Sequence, residues 1–161
     1  MAAAGWQQLE LVNSWIRHSD AKLTTLLAFI GVAGGGLYAV VHDSCRPSGL
    51  LALAGVSAIF LAAAATSAFI GLNPVRRFTP SDEREVIFYR AIQAKYGDPG
   101  SYVDEFKGSM ADDDLGPNLL RQALINAKIA DRKFVFTTWS GLLLMAGLAA
   151  LAACAAVRVI G

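Results

Sequence analysis

The sequence predicts an all-α membrane protein, with three transmembrane helices and a cytoplasmic helical insert between the second and third. Three observations carry that prediction. Hydrophobic residues make up 55% of the 161 residues and charged residues only 17%, which is too apolar for an ordinary soluble domain. Charge is absent from residues 23–41, 47–75 and 134–157, stretches of 19, 29 and 24 residues. Helix start and stop signals crowd the sequence between the second and third of them.

At 1.5 Å rise per residue each stretch reaches about 28 Å or more, enough for a hydrocarbon core of roughly 30 Å. The first is the shortest, and Lys22 has to snorkel to the headgroups to complete it. The first basic residue is Arg17, too late for a secretory signal, so a retained membrane helix is expected. The predicted division is a cytoplasmic N-terminal helix over 1–22 and a transmembrane hairpin over 23–72, with a short outer loop near 42–48. The cytoplasmic insert follows over 73–133 and the third transmembrane helix over 134–157.

Orientation follows from Lys and Arg. The N-terminal arm holds 2, the first loop 1, the segment from Asn73 to Lys133 holds 10, and the tail 1. The positive-inside rule puts the long segment in the cytoplasm, and with three crossings the N-terminus joins it. Ten acidic residues in that segment make it a mixed-charge folded surface, with no polybasic lipid-binding tail.

Within the insert, Thr79-Pro80-Ser81-Asp82 forms a capping box, and Val86, Tyr89, Ile92 and Tyr96 follow on one face until Gly97 and Pro99. Ser101 and Asp104 repeat the cap pattern for a short helix bearing Tyr102, Phe106 and Met110, ending near Gly108 to Ala111. Gly116-Pro117 opens a helix that nothing interrupts, predicted to run from about Pro117 to about Val157, on the order of 60 Å. The N-terminal arm, with Leu9, Val12, Trp15 and Ile16 on one side, is expected to form a further helix against this bundle.

Several function classes fall away. A net charge of +1 lacks the electrostatics of nucleic-acid binding. His18 and His42 lie at opposite membrane faces, so no base stands beside a nucleophile, and no enzyme is expected. Asp112, Asp113 and Asp114 suit a helix start and have no second ligand group, so neither metal nor cofactor is expected. Cys45 and Cys154 make no disulfide framework, although both lie toward the outer face. Gly31 and Gly35, with Ala54, Ala58 and Ala62, are small-residue faces read as packing among the three spans. A homo-oligomer seam is the alternative, and the run Gly34 to Gly36 could also bend the first span.

The polar residues at the inner boundary are the most informative. Asp20-Ala21-Lys22 enters the first span, and Asn126-Ala127-Lys128 with Asp131, Arg132 and Lys133 enters the third. Asp20 can pair with Lys128, Arg132 or Lys133; Asp20, Lys22, Lys128, Asp131 and Lys133 thus form a candidate membrane-boundary latch. Headgroup anchoring by exposed charges is the other reading.

These residues also carry a resemblance. Asp-Ala-Lys before the first span, Asn73-Pro74 closing the second, Val86-Ile87-Phe88-Tyr89 in the insert, and Asn126 through Lys133 before the last are similar to the Pycsar membrane-effector family, from Asn13 onward. The resemblance implies anti-phage defence in the bacterial inner membrane. A separate uridylate or cytidylate cyclase would make cyclic UMP or cyclic CMP, and this multi-pass chain would impair membrane integrity and abort infection. No cyclic-nucleotide-binding domain is recognisable, so either the signal reaches the chain by another route or sensing falls to the insert. There Arg76, Arg77, Arg84 and Arg90 offer charge to a phosphate and Tyr89 a ring to a base; the competing reading is topology for the arginines and packing for the ring. A structural scaffold that binds a partner through the insert is the rival function. The expected partners are the lipid bilayer and the cyclic nucleotide, with further copies of the chain as the alternative at the small-residue faces.

Overall fold

The computed structural model describes residues 2–42, 48–73, 92, 97–111 and 115–160. Four α-helices fill them: α1 (Ala2–Val41), α2 (Ser48–Leu72), α3 (Pro99–Ala111) and α4 (Leu115–Ile160). No strand occurs among the described residues. Three helices, α1, α2 and α4, are long and apolar enough to cross a membrane. The expected continuous helix is α4, whose 46 residues span about 69 Å. The arm and the first span are one helix, because no proline or glycine lies between Trp6 and Ile30 to end it.

Helix α3 starts earlier than the cap pattern at Ser101 and Asp104 implied. Asp98 is the cap: its Oδ1 accepts the Ser101 amide at 3.0 Å, Ser101 Oγ donates to the Asp98 carbonyl at 3.0 Å, and Pro99 takes the first helical position. The proline read as a stop for the preceding helix therefore opens the next one. The capping box at Thr79 and the face of Val86 and Tyr89 lie outside the described residues.

The chain divides into two compact units, Met1–Arg17 with Val75–Asp131 and His18–Pro74 with Arg132–Gly161. The second, the spanning unit, is a three-helix bundle. On α2 the buried residues are Leu50, Ala54, Ser57, Leu61, Ala64, Ala68 and Gly71, alternately four and three apart. The same spacing marks buried and half-buried positions on its neighbours, Ser19, Leu23, Leu26, Ile30, Ala33, Leu37 and Val40 on α1, and Lys133, Thr137, Ser140, Leu144, Gly147, Leu151 and Cys154 on α4. A mean period of 3.5 is the seam of a left-handed coiled coil, the commoner hand among membrane bundles.

At the centre, Ile30, Ala33, Leu61, Ala64 and Leu144 pack together; toward one end Leu50, Ala54 and Cys154 form a second cluster. Gly71 shows how close the helices come, since a Cβ there would lie 2.9 Å from Phe136 Cβ and 3.0 Å from Leu23 Cδ1. Gly31 and Gly35 differ. A Cβ at either meets nothing within 4 Å, and Ala58 and Ala62 are exposed, so the expected packing of these residues against the other spans does not hold. Their spacing is right, but their phase is off: they fall beside the Ile30, Ala33 and Leu37 stripe. Ala54 alone of that set joins the core.

In the first unit, the insert unit, Leu9 from α1 meets Leu115, Leu119 and Ala123 from α4, with Ala2 and Phe106 against them. Leu9 and Val12 are buried as the arm's apolar side requires, whereas Trp15 is exposed.

Candidate functional site

The ion pair of the spanning unit lies where α1 and α4 enter it. Lys133 occupies a seam position on α4, and its Nζ forms an ion pair with Asp20 Oδ1 on α1. The two ends are unequally wet: the Lys133 side chain is 10% exposed and that of Asp20 is 39%. The lysine is therefore the desolvated partner and depends on the carboxylate, while the carboxylate keeps access to solvent.

Hydroxyls extend this layer. Thr137 Oγ1 donates to the Lys133 carbonyl at 2.8 Å, and Ser19 Oγ, fully buried, lies 3.2 Å from Thr137 Oγ1. Because the Thr137 proton is committed to the carbonyl, Ser19 is the donor between the helices. Beside it, the Arg132 guanidinium sits 5.5 Å from the centre of the Phe136 ring, within cation–π range. Of the predicted latch, Asp20 and Lys133 are thus brought together. Lys22 is exposed on α1, and Lys128 and Asp131 are exposed on α4; none of the three takes part in the pair.

Further along the spanning unit, hydroxyl and thiol donors bond to backbone carbonyls across α2 and α4. Ser67 donates to Phe136 at 3.3 Å, Ser140 to Ala64 at 3.0 Å, Ser57 to Gly147 at 2.9 Å, and Cys154 Sγ to Leu50 at 3.6 Å. Three of these recur one heptad apart, so α2 runs antiparallel to α4. At the far end, Arg158 of α4 donates to the Ala39 and Val40 carbonyls of α1, at 3.0 and 3.3 Å, which places α1 and α4 parallel. Cys154 is a free, buried thiol; Cys45 lies outside the described residues.

The insert unit carries a different polar element. Gln122 Nε2 donates to Asn126 Oδ1 and Asn126 Nδ2 donates to Asn13 Oδ1, both at 2.8 Å, a ladder of three carboxamides between α1 and α4. Ser19, Thr137, Asn13 and Gln122 were not singled out from the sequence. The signal that marks Ser19 and Thr137 is the unbroken 3.5-residue spacing of the seam, which composition and charge counting do not reveal; Asn13 and Gln122 fall off that register and carry no such mark.

The candidate ligand residues Arg76, Arg77, Arg84, Arg90 and Tyr89 lie outside the described residues, as do Asp112, Asp113 and Asp114. Among the described residues no group of three or more His, Cys, Asp or Glu side chains is placed to hold a metal ion.

Comparison with known proteins covers nearly the whole chain. The family model described as the Pycsar effector protein domain matches residues 4–160. The Pycsar effector protein PtPycTM of Propioniciclava tarda is 36% identical over 152 residues, covering 91% of this chain and 74% of that protein. No solved structure matches.

Proposed function

The chain belongs to the Pycsar effector family and is a multi-pass membrane protein, and from that premise we propose that it is a non-catalytic effector that senses a cyclic pyrimidine nucleotide and impairs the inner membrane. The observation that supports this reading most is the family match from residue 4 to residue 160, which includes the spans and the insert alike. The signal would be cyclic UMP or cyclic CMP from a separate cyclase. The outcome would be abortive infection, in which the infected cell stops before phage are released.

In this reading residues 73–133 are the cytoplasmic sensor and the N-terminus lies on the same side, as the concentration of Lys and Arg favours. Arg76, Arg77, Arg84 and Arg90 supply the phosphate contact and Tyr89 the stacking surface. A ligand shifts the equilibrium between a quiet and a damaging arrangement only through unequal affinity for the two. Helix α4 runs from the insert into the third span as one continuous helix, and it is the path by which a rearrangement around a bound ligand would reach the spans. The pair of Asp20 and Lys133 is the latch of the quiet state, with Lys22, Lys128 and Asp131 as the exposed charges at the same boundary.

Liposomes containing the purified chain test this. Dye release that rises on adding cyclic UMP or cyclic CMP, with Asp20→Ala leaking at lower nucleotide concentration than wild type, is the expected result. Release that is the same in all conditions removes the nucleotide response. Phage challenge of cells carrying the cyclase and effector genes provides the cellular check: deletion of this chain should abolish protection. Unchanged protection would favour the scaffold reading.

A further inference from the structure

We propose that α1 and α4 behave as one clamped pair within the spanning unit and that α2 is the helix that separates when the bundle opens. The consequence for membrane damage rests on the effector reading above; the order of separation does not. The inference comes from the kind of bond on each side of α4.

Between α1 and α4 a cation of α4 closes each end. Lys133 meets the Asp20 carboxylate at one end, and Arg158 meets the carbonyls of Ala39 and Val40 at the other. Those two carbonyls belong to the last turn of α1, where no amide of the helix itself can satisfy them. Separating α1 from α4 strands a desolvated ammonium and uncaps a helix end at once.

Between α2 and α4 there is no charge, since the sequence from Ser48 to Leu72 contains no ionisable residue. The bonds here are made by Ser57, Ser67, Ser140 and Cys154. A serine in a helix can turn its hydroxyl to the carbonyl four residues back on its own chain, as Thr24, Thr66 and Thr138 do in this protein. These donors can therefore exchange an interhelical acceptor for an intrahelical one and stay satisfied in lipid. Close packing of small residues holds α2 as well, as at Gly71, but lipid tails restore part of that contact when the helices part, and no charge is stranded. Departure of α2 leaves no serine donor of this ladder without an acceptor; departure of α1 strands charge.

Nitroxide labels on lipid-facing positions test the order in the full-length chain. Val32 on α1, Ile59 on α2 and Met145 on α4 are all exposed, and substituting Cys45 and Cys154 by serine frees the background while keeping a donor at 154. Distances for the pairs Ile59/Met145 and Val32/Met145 are followed by pulsed electron resonance in mixed micelles as the fraction of dodecyl sulfate rises. The expected result is that the Ile59/Met145 distribution broadens first, with Val32/Met145 retained to a clearly higher fraction. In Asp20→Asn with Arg158→Gln the interval should close. Simultaneous broadening in the wild type, or loss of the Val32/Met145 distance first, overturns the proposal. A chain that keeps the expected order but leaks equally with and without cyclic UMP or cyclic CMP refutes the effector reading and leaves this one standing.

Discussion

The insert unit and the spanning unit are built from the same two long helices, yet they hold them by different chemistry. In the insert unit α1 and α4 meet through Leu9, Leu119 and Ala123 and a ladder of neutral carboxamides, Asn13, Asn126 and Gln122. In the spanning unit the same helices meet through an ion pair, a hydroxyl pair and an arginine on carbonyls. The difference follows from the solvent expected around each. Where water surrounds the bundle, burying leucine is itself favourable and polar bonds mainly specify alignment. In lipid, burial of leucine gains little, and bonds and close backbone approach carry the association.

The largest expected effect attacks that contrast directly. Asp20→Ala leaves Lys133 buried without its counter-charge and should destabilise the spanning unit by about 2 kcal/mol, a value reduced from that of a fully buried pair because Asp20 is partly in solvent. Asp20→Asn combined with Lys133→Met should recover most of it. The corresponding lesion in the insert unit, Asn126→Leu, removes two neutral bonds of about 1 kcal/mol each, offset in part by the leucine's burial in a water-surrounded bundle, and should cost about 1 kcal/mol. Unfolding titrations in mixed micelles measure both, and equal losses would erase the distinction between the units.

A second comparison lies inside the spanning unit, between glycines that share a composition but not a phase. Gly71→Leu drives a side chain into Phe136 and Leu23 and should cost about 2 kcal/mol by overpacking. Gly35→Leu meets open space and should be neutral or slightly stabilising, because leucine is the better helix former. Thermal unfolding of the two variants side by side is the measurement. A large loss at Gly35 would mean that its face is covered by another copy of the chain.

Much of this architecture was legible because missing charge is a strong signal: three uncharged stretches mark α1, α2 and α4, and Asp20 and Lys133 stand out as ionisable residues at their edges. Harder to see was which face of each helix turns inward. Gly31 and Gly35 have small-residue spacing, yet small size is a property of a residue, and facing a neighbour is a property of the helix's phase. That phase could have been found from α2, where Leu50, Ala54, Ser57, Leu61, Ala64, Ala68 and Gly71 keep one register over 22 residues. Laying the same register on α4 selects Lys133, Thr137 and Ser140 together. The serines escaped notice because a hydroxyl's role depends on a carbonyl from another helix, and no local pattern records that.

The smallest expected effect concerns Asp98, where the sequence reading misplaced a helix start and pH can expose the true one. The Ser101 amide, donating to Oδ1, holds the Asp98 carboxyl below the usual aspartate range. A carboxylate whose value is lowered on folding stabilises the folded state above its unfolded pKa, and that contribution is lost as pH falls through the lowered folded value. Protection of the α3 amides should therefore be constant from neutral pH down to the ordinary aspartate range and decline only below it. Asp98→Ala should remove the pH dependence and loosen the first turn alone, since the cap serves that turn's amides. Hydrogen exchange read by mass spectrometry over the peptide from Gly97 to Ala111 distinguishes this from a cap at Ser101. Were Ser101 the cap, Ser101→Ala would abolish the protection and Asp98→Ala would leave the pH profile of α3 untouched.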